Sequence, residues 1–171
     1  MKKLNNILRI SVLALFVVVM ASCKKDDPYA AYTPEREANL IKEWLAAQVT
    51  NKSDIDTTST GIFYIRDKTK VGTGPTVKAG NTVTVKYVGK YLDSGVTFDA
   101  SAYYSAEGTM TYVHKTDPLI TGWEEGIEVL SKGGSASFLI PSAKGYGARG
   151  NGDVIPPYTP LIFNIEVVDI Q

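Results

Sequence analysis

The chain has 171 residues, and its 18 basic and 18 acidic side chains cancel when its one histidine is neutral. That balance lacks the clustered basic excess of a nucleic-acid-binding surface and excludes nucleic acid as a partner. One histidine and one cysteine also leave too few ligands for a metal cluster and no basis for a Cys/His dyad.

Residues 1–22 stand apart from the rest. Lys2, Lys3 and Arg9 make a basic start, and Ile10 to Ala21 is almost wholly apolar. This is the three-part pattern of an export signal, too short and wrongly flanked for a comfortable membrane span. Its end, Met20-Ala21-Ser22-Cys23, resembles a bacterial lipoprotein signal, with Cys23 as the lipidated first residue of the mature chain. The plainer alternative is a buried core cysteine after an uncleaved anchor. A lone cysteine excludes an internal disulfide. Lysine directly after Cys23 resembles an outer-membrane address. Lys25-Asp26-Asp27 resembles the export tag of surface lipoproteins in some Gram-negative bacteria, although a solvated tether fits equally well. The expected location is the cell envelope, lipid-anchored at the outer membrane, on its periplasmic face or at the cell surface. Without residues 1–22 the chain keeps 15 basic and 18 acidic residues, a net charge near −3.

Residues 23–32 read as a lipidated tether, and 33–60 as a helix followed by a polar loop. Thr33-Pro34-Glu35 supplies a cap, a proline at the first helical position and an early acid. The helix is expected to reach Ala47 or Gln48, with Ala38, Ile41, Trp44, Leu45 and Gln48 on one side. That weak stripe suits docking on the domain or a spacer; a dimerisation arm is the alternative. From Gly61 the pattern has period two: Ile62 to Ile65 as a strand, Val71 to Pro75 as a turn, then Val83, Val85 and Tyr87 facing one way. Asp93-Ser94-Gly95 reads as a hairpin turn before Thr97-Phe98-Asp99, and Thr111 to His114 as a short strand that leaves His114 exposed.

Thr121 to Leu130 reads as one short helix with Trp123, Ile127 and Leu130 at i, i+4 and i+7, stopped by Gly133-Gly134. Such a helix needs a surface to lie on, and the alternating segments around it supply a curved sheet. Ser135 to Ile140 and Leu161 to Ile170 complete that sheet. Pro141 to Pro160 joins them and holds Tyr146, Val154 and Ile155, so it reads as an ordered flap. The fold class is α+β: a curved antiparallel half-barrel around one short helix, with an extra N-terminal helix. Residues 61–171 form the domain.

Five segments at this order and spacing resemble the FKBP-type peptidyl-prolyl cis-trans isomerases. They are Val85-Lys86-Tyr87-Val88-Gly89, Thr97-Phe98-Asp99-Ala100-Ser101, Gly122-Trp123-Glu124-Glu125-Gly126, Gly145-Tyr146-Gly147-Ala148, and Ile155-Pro156-Pro157 followed by Leu161-Ile162-Phe163. The resemblance implies that a substrate proline rests on the Trp123 indole. It implies catalytic positions at Tyr87, Phe98, Asp99, Trp123, Tyr146, Ile155 and Phe163, with Met110, Tyr112, Leu119, Ile120 and Val154 as further substrate contacts. Asp99 would be the rim carboxylate. The Tyr146 hydroxyl and the Ile155 N–H would serve substrate carbonyls. Partners would be proline-containing polypeptides and the family's macrolide inhibitors, with no cofactor or metal, and the chain would act as a monomer.

The segment 102–108 carries a short insertion and lacks the arginine that often pairs with the family's aspartate, so a tyrosine hydroxyl is the expected partner of Asp99. Met110 stands where a pocket aromatic is usual. The runner-up is a non-catalytic module that holds proline-containing segments; a third reading is a surface lipoprotein for a host or environmental ligand. Adjacent Glu124 and Glu125 point to different helix faces and do not make a hydrolase pair. Gly145 to Gly152 opens onto no helix and lacks a phosphate loop's lysine.

Overall fold

A computed structural model describes residues 27–51 and 54–171. The export signal at 1–22, Cys23 and the residues up to Asp26 therefore lie outside the described residues. Asp27–Ala30 makes a turn in which Ala30 N–H donates to the Asp27 carbonyl. Residues 31–171 form a separate compact unit.

The unit begins with α1 (Pro34–Thr50), where the Thr33 hydroxyl accepts the Arg36 N–H at 3.2 Å, as the cap residues predict. No residue of α1 is buried, so the helix lies on the domain without adding to its core. Seven strands follow: β1 (Ile55–Thr57), β2 (Phe63–Thr76), β3 (Thr82–Tyr91), β4 (Thr97–Ala100), β5 (Met110–Val113), β6 (Ser131–Ile140) and β7 (Leu161–Ile170), with α2 (Thr121–Ile127) between β5 and β6. They form one antiparallel sheet in the order β1-β2-β6-β7-β3-β4. Strand β5 takes the free side of β3 beside β4.

Alternation dictates which face is buried. Val83, Val85 and Tyr87 of β3, Ala136, Phe138 and Ile140 of β6, and Leu161, Phe163, Ile165 and Val167 of β7 all point to the core. Their register pairs Phe138 with Phe163 and Tyr87 with Ile165. Helix α2 lies on this face, with Trp123 and Ile127 in the core and Leu130 just beyond its end. Two glycines set how close it lies. A Cβ on Gly122 would stand 2.3 Å from Ile140 Cγ2, and one on Gly126 would stand 2.9 Å from Phe138 Cδ1.

Four local expectations are corrected. Residues 50–60 are not all loop: Ile55–Thr57 pairs with Phe63–Ile65 and forms the sheet edge. Val71 to Pro75 is not a turn. Gly74, at φ of +78°, lies in the register shift between Thr73 and Thr76, and Gly72, at +77°, lets β6 pass close, since a Cβ there would stand 2.6 Å from Ser131 Oγ; β2 runs on through both as one strand. Helix α2 ends at Ile127, because the Ile127 carbonyl takes the Leu130 N–H in a turn that delivers the chain to β6. Gly133-Gly134 lies inside β6 instead of stopping the helix. His114 is fully buried. Its N–H and carbonyl bond Asn81 and Gly80, pulling the ring under the β2–β3 turn. Among the described residues no helix is long and apolar enough to cross a membrane.

Because Ile140 is itself fully buried, a methyl at residue 122 has nowhere to go. Gly122→Ala should lower unfolding free energy by about 1–3 kcal/mol, the usual cost of overpacking. Urea denaturation at fixed slope checks it, and Gly147→Ala, where a Cβ meets nothing within 4 Å but φ is +64°, separates wedging from backbone strain.

Candidate active site

A cavity of about 430 Å³ opens over the N-terminal end of α2. It is lined by Tyr87, Asp99, Met110, Pro118, Leu119, Ile120, Thr121, Trp123, Gly145, Tyr146 and Phe163. The curved sheet supplies Tyr87 and Phe163, the short strands β4 and β5 supply Asp99 and Met110, and the β6–β7 connection supplies Gly145 and Tyr146.

Trp123 is the floor. It is 3% exposed, and its Nε1 donates to the Tyr112 hydroxyl at 2.9 Å. The indole N–H is thus satisfied below the floor, and the ring offers the cavity an apolar surface. Tyr87 and Phe163 meet it edge-on, with centroids 5.1 and 5.4 Å away at 90° and 84°. Phe98 stands edge-on to Phe163 at 5.6 Å. Gly89 makes that contact possible: a Cβ there would sit 2.8 Å from both rings.

Among the described residues Asp99 is the only charged side chain lining the cavity. Its Oδ2 accepts the Tyr87 hydroxyl at 2.9 Å, the tyrosine partner expected in the absence of an arginine; among the described residues its Oδ1 has no hydrogen-bond partner. Burial, and then that carboxylate, push the Tyr87 hydroxyl well above the ordinary tyrosine range. Burial and Asp99 raise Tyr146 in the same order. Asp99 also pushes up the exposed Tyr104, which lies close to it without an aligned bond. Three phenols around one carboxylate therefore stay protonated as donors through neutral pH. Ser101 fixes this rim: its Oγ accepts the Tyr87 N–H at 3.0 Å and donates to the Gly108 carbonyl at 2.6 Å.

The structure brings together Tyr87, Asp99, Met110, Leu119, Ile120, Trp123, Tyr146 and Phe163 around one space. Phe98 and Tyr112 stand behind the lining, bracing Phe163 and Trp123. Ile155 is buried, and its N–H donates to the Asn151 carbonyl at 3.2 Å; serving a substrate would mean exchanging that bond. Val154 is half exposed on the far side of the flap, its carbonyl accepting the Tyr91 hydroxyl. Sequence reasoning passed over Pro118 and Thr121, whose only signal was adjacency to Leu119-Ile120, and the spacer role of Gly89. Among the described residues, no three of His, Cys, Asp and Glu converge as metal ligands would. His114, the residue read as exposed, sits instead under the site with Nε2 3.2 Å from Glu128 Oε1.

The family model for FKBP-type peptidyl-prolyl cis-trans isomerases matches residues 74–168. The chain belongs to that family. It is 38% identical over 125 residues to a probable FKBP-type isomerase of Haemophilus influenzae, covering 73% of this chain and 49% of that protein. It is 38% identical over 99 residues to an FK506-binding protein of Neisseria meningitidis, covering 58% of this chain and 88% of the relative. The chain thus spans about half the length of the first relative and most of the second. A solved peptidyl-prolyl cis-trans isomerase from Pseudomonas syringae superposes with a TM-score of 0.65 at 28% identity, covering 85% of this chain and 98% of that one. FkpA from Escherichia coli superposes with a TM-score of 0.64 at 27% identity, covering 80% and 62%.

The phenol beneath the floor makes stability sensitive to alkali. Burial pushes Tyr112 from its ordinary value of 10.0 up to about 12, with Glu124 adding to the rise and the Trp123 bond opposing it. A raised folded pKa means this contribution is complete below pH 10 and lost as pH climbs through 12. The urea midpoint should therefore fall between pH 10 and 12, and fall less steeply in Tyr112→Phe. Parallel pH curves for the two proteins would contradict the assignment.

Proposed function

We propose that this chain is a peptidyl-prolyl cis-trans isomerase that assists the folding of exported proteins. The observation that carries the reading is the aromatic box around Trp123 with a single carboxylate at its rim, in a member of this family. Rotation about an X-Pro bond faces about 18–20 kcal/mol because the amide is conjugated. No bond is made or broken, so the site has only to favour the twisted amide over the planar one. The apolar floor and walls strip water from the imide carbonyl, whose charge separation is greatest in the planar form. The edges of Tyr87 and Phe163 hold the prolyl ring on Trp123 while the carbonyl swings. The Tyr146 hydroxyl, kept protonated, donates to a substrate carbonyl, and Asp99 orients Tyr87. Lowering the barrier by about 4 kcal/mol gives roughly a thousandfold in rate.

In this reading Phe98, Tyr112 and Ile155 hold the walls in place, and Met110, Leu119 and Ile120 contact the residues flanking proline. Val154 meets the peptide only where it leaves the flap. Relatives named FK506-binding proteins support the same cavity as the site for macrolide inhibitors. The chain acts as a monomer.

The test is isomerisation of a panel of proline tetrapeptides by the purified protein. Trp123→Leu should lower kcat/KM about tenfold, near 1.4 kcal/mol in the transition state, in protein that remains folded by circular dichroism. Full turnover by that variant would place the site elsewhere. Tight peptide binding without turnover by the parent protein would support the holding module instead.

The export reading is proposed with it: residues 1–22 are removed and Cys23 carries lipid that fixes the domain to the outer membrane. More than one acyl chain is needed for durable attachment. Cys23→Ala should leave the membrane fraction and keep its isomerase activity. Sedimentation with membranes after a carbonate wash would contradict the anchor.

A further inference from the structure

Helix α1 lies upstream of the residues that match the family, yet its first turn holds the loop that faces substrate. Both oxygens of Glu37 reach Ser142, 105 positions away in the chain. Oε1 accepts the Ser142 N–H at 2.5 Å and Oε2 accepts its hydroxyl at 2.6 Å. Ser142 is 3% exposed and opens a tight turn, Ser142–Lys144, closed by bonds of 2.9 Å from Lys144 N–H to Pro141 and from Gly145 N–H to Ser142. At the far end of that turn Lys144 pairs with Glu125 of α2 at 2.6 Å. Gly145 and Tyr146, which line the cavity, come next.

The neighbouring Arg36 pairs with Asp93 at 2.5 Å. Asp93 follows β3, whose Tyr91 donates its hydroxyl to the Val154 carbonyl. One turn of α1 therefore grips the start of the β6–β7 loop directly and, at Asp93, the turn that follows the strand whose Tyr91 holds the loop's later part. The apolar stripe Leu40, Ile41, Trp44 and Leu45 is only half-buried, and no residue of the helix is fully buried. Its firm contacts are charge-assisted and land on the segments that carry the site.

We infer that Glu37 is a positioning residue for the isomerase site, holding the Ser142–Lys144 turn so that Tyr146 stands at the cavity rim. The inference rests on the proposed isomerase reading. Removing the carboxylate frees the turn at one end, and substrate binding must then order Tyr146, which raises KM more than it lowers kcat.

The experiment uses the purified full chain and compares Glu37→Ala, Glu37→Gln and Glu35→Ala. Glu35 shares the first turn of α1, is exposed, and does not touch the loop. Glu37→Ala should raise KM for a proline tetrapeptide on the order of fivefold, about 1 kcal/mol in affinity, while kcat stays within about twofold. Amides 142–150 should exchange faster with deuterium. Glu37→Gln should stay close to the parent, because its amide can accept from the Ser142 N–H and donate to the Ser142 hydroxyl. Glu35→Ala should match the parent. A folded Glu37→Ala protein with unchanged KM overturns the inference, as does an equal rise in Glu35→Ala, which would reflect the helix dipole. If Glu37→Ala fails to fold, Ser142→Ala carries the same prediction at smaller size. If the parent turns over no proline peptide, the isomerase reading fails separately. Affinity for the same peptide and exchange at 142–150 then decide the role of Glu37.

Discussion

The distance between α2 and β6 governs the site. Gly122 and Gly126 let the helix backbone approach Ile140 and Phe138 far more closely than any side chain would permit. That approach sets the depth of Trp123, flanked by both glycines. At that depth the indole N–H reaches Tyr112, and the indole receives the edges of Tyr87 and Phe163. The same approach brings Glu125 within reach of Lys144, so the helix that carries the floor also holds the loop that carries Tyr146. Floor, walls and rim are set by one packing constraint, and the cavity is the space that the approach leaves open.

The chemistry follows from what surrounds that space. A planar X-Pro amide is most polar when conjugated, and an apolar box whose indole N–H is already bonded to Tyr112 gives that polarity little to interact with. Asp99 is the exception, and it is engaged: Tyr87 occupies one oxygen, and burial with the carboxylate keeps Tyr87 and Tyr146 protonated. Such a site binds by shape and offers donors, and it leaves no group that must exchange a proton to complete a cycle.

Much of this was legible in the sequence, and the residues show why. Val83, Val85 and Tyr87 alternate because β3 has one wet face and one dry one. Trp123 and Ile127 announce a helix because their spacing survives in any short turn on a sheet. Seven expected site residues beside Trp123 line one cavity because their segments keep family order and spacing. What escaped the reading depends on contacts distant in the chain. Polar β1 is a strand only because β2 lies beside it. Gly72 and Gly74 look like a turn until β6 is seen to pair alongside them, packing against Gly72 and shifting register at Gly74. His114 is buried by Asn81, Gly80 and Glu128, none of which its neighbours foretell. The Ile155 N–H meets Asn151 inside the flap, and Glu37 finds Ser142 across the whole domain. Local pattern encodes which face is dry; it does not encode which distant polar group closes a loop.

The central claim is that this pocket twists an amide without moving a proton. The most direct measurement is magnetisation exchange between the cis and trans forms of a proline tetrapeptide, in H₂O and in D₂O, with catalytic amounts of the protein. The account predicts accelerated exchange with a solvent isotope ratio close to one. A ratio of about two or more, as when a general acid or base transfers a proton in the transition state, would contradict it, as would exchange no faster than in buffer alone.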